Sequence, residues 1–171
     1  MTSIVGKNCS PRVAGGLLAA LALFTAGCYK ATGGGWIPSA RGADKASFGF
    51  TAMCRTVTQS DGPSAALYDG QLEWQDGPVR FHGNVEPFDF VILPGRCQDV
   101  RQMLAQRGGP MQFGGTYRPQ TGGASGFFTV TVIDNGTPGA NGDFIQIELS
   151  GGQHAGYFNA GVLQGGNIQV F

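Results

Sequence analysis

The chain has 171 residues, 42% hydrophobic and only 13% charged, with 30 Gly, 9 Pro and 12 Phe. That length holds one domain and a short leader, and glycine this frequent excludes a helical bundle, because each Gly weakens a helix interior by about 1 kcal/mol relative to Ala. Eleven basic residues balance eleven acidic ones, and without a Lys/Arg cluster nothing holds a polyphosphate backbone, which argues against nucleic acid as a partner.

Residues 1–27 read as an export signal. Lys7 and Arg12 give a positive start and Val13–Phe24 an apolar stretch of twelve residues, too short for the roughly 20 that cross a bilayer but suited to a signal core. The stretch ends in Thr25-Ala26-Gly27-Cys28. Small residues followed at once by cysteine resemble the lipobox of bacterial lipoproteins, although Thr25 stands where that family favours Leu. The resemblance implies a diacylglyceryl group on the Cys28 thiol, cleavage before Cys28, and a membrane held through that lipid. Tyr29 in place of Asp points to the outer membrane of a Gram-negative cell, otherwise to the outer face of the cell membrane. The simpler alternative is an ordinary secretory signal with an incidental cysteine. Loss of Lys7 and Arg12 leaves 9 basic residues against 11 acidic, a net charge of −2.

With Cys9 removed and Cys28 lipidated, Cys54 and Cys97 are the only thiols left of four. An even pair in an oxidising compartment is expected to form a disulfide. It would close a loop of about 44 residues, for which chain entropy gives about 4 kcal/mol.

Residues 28–43 are expected to be the lipidated cysteine and a flexible tether, and 44–171 the domain. Lys45–Met53 alternates, with Ala46, Phe48, Phe50 and Ala52 on one face, the pattern of a half-buried strand. Ala65–Gln75 continues as a strand to a turn at Gln75-Asp76-Gly77-Pro78, and Val79–Gly83 and Phe88–Leu93 follow. Val100, Met103, Leu104 and Arg107 recur at helical spacing before Gly108-Gly109-Pro110, which predicts one short helix over 96–107. Strands resume at Met111–Tyr117. Phe127–Asp134 and Phe144–Leu149 form a hairpin around the turn-rich loop Asn135–Asp143, and Tyr157-Phe158 and Val162–Phe171 complete the chain. Eight to ten strands with short connections predict an all-β domain, an antiparallel sandwich or a closed barrel.

Several segments follow one another in a recognisable order: Gly33–Pro38 (GGGWIP), Lys45–Phe50 (KASFGF), Leu72–Asp76 (LEWQD), Asp134-Asn135-Gly136 with Pro138-Gly139, and Leu163–Val170 (LQGGNIQV). This order is similar to a β-rich domain of unassigned function in bacterial exported proteins, often placed after HYR-type or immunoglobulin-like repeats. The resemblance spans nearly all of 32–171 and implies an extracytoplasmic display or interaction module. No such repeats precede the domain here, and the cysteine pair and the helical segment are additions to the pattern.

Three constellations carry possible chemistry. His82 and His154 are the only histidines, and no G-x-S-x-G elbow accompanies them; they read as a strand and a loop residue. Asp69, Glu73, Asp76, Glu86 and Asp89 supply carboxylates, two of which a glycosidase would need about 5–9.5 Å apart. Asp134, Asn135 and Asp143 bracket a loop of hard oxygen donors that suits calcium, although such residues also form turns for conformational reasons alone. The lipobox-like leader and the resemblance to exported β-rich domains together imply a non-enzymatic, lipid-anchored envelope protein without a cofactor, whose β domain serves as a structural or interaction module for an envelope protein or glycan. The alternatives are a β-barrel carrier of a small ligand and an envelope glycan hydrolase.

Overall fold

The computed structural model describes residues 30–57, 65–86, 93–94, 111–136 and 142–170. They form ten strands: β1 (Lys30–Ile37), β2 (Ala46–Val57), β3 (Ala65–Asp76), β4 (Val79–Val85), β5 (Leu93–Pro94), β6 (Met111–Pro119), β7 (Gly126–Ile133), β8 (Phe144–Ser150), β9 (Phe158–Val162) and β10 (Gly165–Val170). All pairings are antiparallel in one sheet of order β10-β1-β2-β3-β4-β6-β7-β8-β9, with the short β5 on β3. The domain is all-β, and it is a single curled, barrel-like sheet rather than a sandwich. The described residues include no helix; the expected helix over 96–107 lies outside them.

The stretch expected as a tether is different. From Lys30 it is strand β1, paired along its length with β2 and over Ala31–Trp36 with β10. Three consecutive glycines concealed it, because they carry no alternating pattern. Their spacing has a packing cause: a Cβ on Gly33 would stand 2.6 Å from the Phe50 ring, and one on Gly35 2.3 Å from the Gly165 carbonyl oxygen.

One face of the sheet turns inward and is filled by side chains. Tyr157, Trp74, Phe48, Phe50, Phe113, Phe128, Phe81, Tyr117 and His154 form an unbroken succession of rings with neighbouring centroids 5.1–6.5 Å apart. The succession leaves from the loop between β8 and β9, crosses the interior and returns to the same loop. Leu72, Val130, Val132, Ile145, Ile147, Leu149 and Ile168 are among the aliphatic residues that fill the other inner positions. Gly83 makes room within this packing, since a Cβ there would lie 2.7 Å from the Phe128 ring. Gly83→Val is therefore expected to cost about 1–3 kcal/mol through overpacking, read as a lower midpoint in urea; an unchanged midpoint would show that the ring has room to move.

The sheet's two ends meet in an unusual seam. β9 and β10 run on from each other across Leu163-Gln164, but β9 pairs with β8 whereas β10 pairs with β1. Where the chain changes partner, the Gln164 amide donates to the Trp36 carbonyl at 3.0 Å and Asn159 Nδ2 to the Pro38 carbonyl at 3.1 Å. The outer edge of β10 is met by side chains instead of a strand: the Ile168 amide donates to Asp143 Oδ2 at 2.7 Å and the Val170 amide to Asp134 Oδ2 at 3.0 Å. An open sheet edge invites pairing with another chain, and here carboxylates occupy the amides that would do so.

Candidate functional site

Polar groups that the interior would otherwise penalise gather at two places, the seam and the rim formed by the loops 38–45, 120–125 and 151–157. At the rim, Asp76 ends β3 and is fully buried. It accepts from the Ser39 hydroxyl, from the Ala40 amide at 3.0 Å and from Tyr157 Oη at 2.7 Å. Tyr157 Oη accepts in turn from Trp74 Nε1 at 3.0 Å, so the line from indole to carboxylate is satisfied throughout. Burial, and then donation to Asp76, push the Tyr157 phenol upward, which keeps it a protonated donor. The Arg41 guanidinium lies 5.3 Å from the centre of the Tyr157 ring. Ser39 Oγ also accepts from the Arg41 and Ala43 amides at 2.9 and 3.0 Å. Its lone pairs are committed to a turn, and the carboxylate that accepts its hydrogen bond, Asp76, is fully buried and shared with Ala40 and Tyr157.

The turn after Asp76 shows why this carboxylate is so placed. Gly77 and Pro78 form a two-residue hairpin between the paired Asp76 and Val79, and Gly77 has φ +55°. A positive φ at the first turn position matches the twist of the flanking strands. The hairpin so fixes the register that Leu72, Trp74 and Asp76 face inward.

His154 occupies the same rim. Its amide donates to Tyr117 Oη at 2.9 Å, which donates to the Gly151 carbonyl at 2.9 Å, and its ring stacks on Tyr117 at 6.0 Å and 18°. His154 Nε2 is buried without a partner among the described residues. Burial, and secondarily Arg41, lower the imidazole's pKa from its ordinary 6.5, against a hydrogen bond with the Arg80 backbone. Because the folded value lies below the unfolded one, the unfolded chain takes up the proton first. The contribution is complete above about pH 6.5 and shrinks as pH falls towards the folded value. The thermal midpoint is thus expected to fall less below that pH in His154→Gln than in the wild type. Parallel pH profiles for the two proteins would contradict this.

The carboxylates considered for hydrolysis are divided by the sheet. Asp76 faces inward. Asp69 and Glu73 face outward from β3, and Glu86 accepts from the Thr116 hydroxyl at 3.1 Å; Asp89 lies outside the described residues. Glu73 is cross-strand from His82, with Oε1 2.5 Å from His82 Nδ1, and its Oε2 accepts from Gln120 Nε2 at 3.3 Å. Asp69 and Glu86 border an open groove of about 580 Å³ with Thr51, Met53, Gln71 and Asn84.

The candidate calcium loop serves the seam. Asp143 is fully buried, and its two oxygens accept from the Asn135 amide at 3.0 Å and the Ile168 amide at 2.7 Å. Asp134 accepts from the Gly136 and Val170 amides at 2.9 and 3.0 Å, and Asn135 Nδ2 donates to the Gly142 carbonyl at 2.5 Å. The sequence placed these three residues in one loop correctly, but nothing in it announced that β10 would lie alongside. Cys54 falls in β2 opposite Tyr68; Cys28 and Cys97 lie outside the described residues.

A feature that residue-by-residue reading missed is an outer wall with almost no charge. On β7, β8 and β9 the outward positions include Phe127, Phe158 and Val162, exposed by 56%, 53% and 45%, and Glu148 is the only charged one. Strand alternation contained the signal, since Phe127 and Phe158 alternate with buried Phe128 and Tyr157. No family model, curated protein or solved structure matches the chain.

Proposed function

We propose that this is a non-enzymatic envelope lipoprotein, held by lipid on Cys28, whose barrel-like domain is a rigid structural or interaction module. The observation that carries the reading is the use of the buried polar groups. Asp76, Asp143, Tyr117 and Tyr157 all direct their hydrogen bonds to closing the rim and the seam, where they hold the scaffold itself. The ring-packed interior favours a module over a carrier, which needs a cavity of several hundred Å³ around its ligand. The leader supplies the address, and Tyr29 favours the outer membrane where the envelope has two membranes. The similarity to exported β-rich display domains belongs to the same reading.

A disulfide between Cys54 and Cys97 is part of this proposal. Intact mass after alkylation, with and without prior reduction, should differ by two masked thiols, and two thiols that alkylate without reduction would remove it. For the anchor, wild-type protein should enter the detergent phase of a Triton X-114 separation, whereas Cys28→Ser should move to the aqueous phase. Equal partition of the two would refute a lipid on Cys28.

A further inference from the structure

The barrel's outer surface has two unlike sides. On β3, β4 and β6 the outward residues include Asp69, Glu73, Arg80 and Arg118, and the exposed Glu86 directly follows β4. Across β7, β8, β9, β10 and β1 the only charged strand residues are Glu148 and Lys30. That second side carries the exposed Phe127, Phe158 and Val162 and, on β1, the half-buried Trp36, which lies over Gly165 with the Lys45 ammonium 5.9 Å from its ring. Exposed aromatic and aliphatic side chains on a wall with so few charges suit a partner that takes apolar contact.

The chain itself indicates which partner. Lys30 begins β1 and stands two residues after Cys28. Two residues reach at most about 7 Å, so a lipid on Cys28 leaves no tether to lift the barrel from the bilayer, and it leaves from the uncharged side. Upright, with the start of β1 at the surface, Trp36 would stand about 20 Å away along the strand, six residues at about 3.3 Å each. Lying on the β7–β1 side instead brings Trp36, Phe127 and Phe158 to the lipid interface, where aromatic rings are favoured. It also brings Lys30 and Lys45 towards lipid phosphates. The lipid, with two acyl chains, would hold the protein at one point, and the aromatics would set its orientation.

We propose that the β7–β9–β1 wall is a bilayer-contacting surface, so that the lipidated protein lies on its side with the charged β3–β6 wall facing outward. The proposal rests on the Cys28 reading, and the two can fail separately. The chain has two tryptophans, and Trp74 is buried, so Trp36 is the reporter. Full-length lipidated protein would be reconstituted in phosphatidylethanolamine/phosphatidylglycerol vesicles with acyl chains brominated near the headgroup. Emission from Trp36 should be quenched, and Phe127→Ser with Phe158→Ser should lose most of that quenching while the protein still floats with the vesicles. In a Trp36→Phe background, a Gln71→Trp indole on the opposite wall should stay unquenched. Vesicle-bound protein with unquenched Trp36, or with equal quenching at the two positions, overturns the orientation. A mature mass without lipid overturns the anchor and this proposal with it. Retained near-ultraviolet dichroism of Trp74 confirms that the serine variants are folded.

Discussion

Asp143→Ala is expected to destabilise the domain by about 1–3 kcal/mol, because it strands the Ile168 amide in a buried site and frees the part-buried Asn135 amide. No water-filled surface replaces the lost carboxylate, since Asp143 is fully buried. The damage should concentrate at the seam, where its oxygens join the loop after β7 to the free edge of β10. Asp143→Asn keeps one carbonyl acceptor but turns an NH₂ group towards a second amide, so it should recover only part of the loss. Urea denaturation measures both. Amide exchange should place the first opening at Ile168 and Val170, and an Asp143→Ala protein as stable as the wild type would mean that the seam closes without the carboxylate.

Trp74→Ala should cost about 3–5 kcal/mol, the range for truncating a large buried aromatic. Trp74 is 1% exposed, stacks on Phe48 at 5.9 Å and meets Tyr157 edge-on at 6.2 Å. It also supplies the indole N–H that Tyr157 Oη accepts. Its loss therefore opens a void in the middle of the ring succession and removes one bond of the rim network. Trp74→Phe separates the two effects: it refills most of the volume and leaves the hydrogen bond missing, so its cost should fall to about 1–3 kcal/mol. If both variants were as stable as the wild type in urea, neither volume nor hydrogen bond would matter at this position.

Much of this architecture was legible because it rests on local alternation. Ala46, Phe48, Phe50 and Ala52 announced the inward face of β2, and the Phe127–Asp134 and Phe144–Leu149 pair announced the β7–β8 hairpin within a residue at either end. What escaped depends on residues remote in sequence. β1 could not be read from Gly33-Gly34-Gly35, because those glycines answer to Phe50, Ile168 and Gly165 across the sheet. One sheet rather than two could not be read either, since it turns on β9 and β10 changing partner at Leu163-Gln164. Asp134 and Asp143 had the composition of a cation loop, and only the arrival of β10 gave their oxygens backbone amides to hold. The two histidines read correctly as a strand and a loop residue; the stacking of His154 on Tyr117 is a tertiary contact with no local signature.

Because β1 begins only two residues after Cys28, the proposed lipid anchor makes the chemistry of Cys28 the centre of the whole account. Without the lipid, the β7–β9–β1 wall loses its argument for a bilayer, and Cys28 would be one more cysteine beside Cys54 and Cys97. The direct measurement is mass spectrometry of the mature N-terminal peptide from membrane-isolated protein. The account predicts a chain that begins at Cys28 and carries a thioether-linked diacylglyceryl group; a chain that begins elsewhere, or an unmodified Cys28, would contradict it.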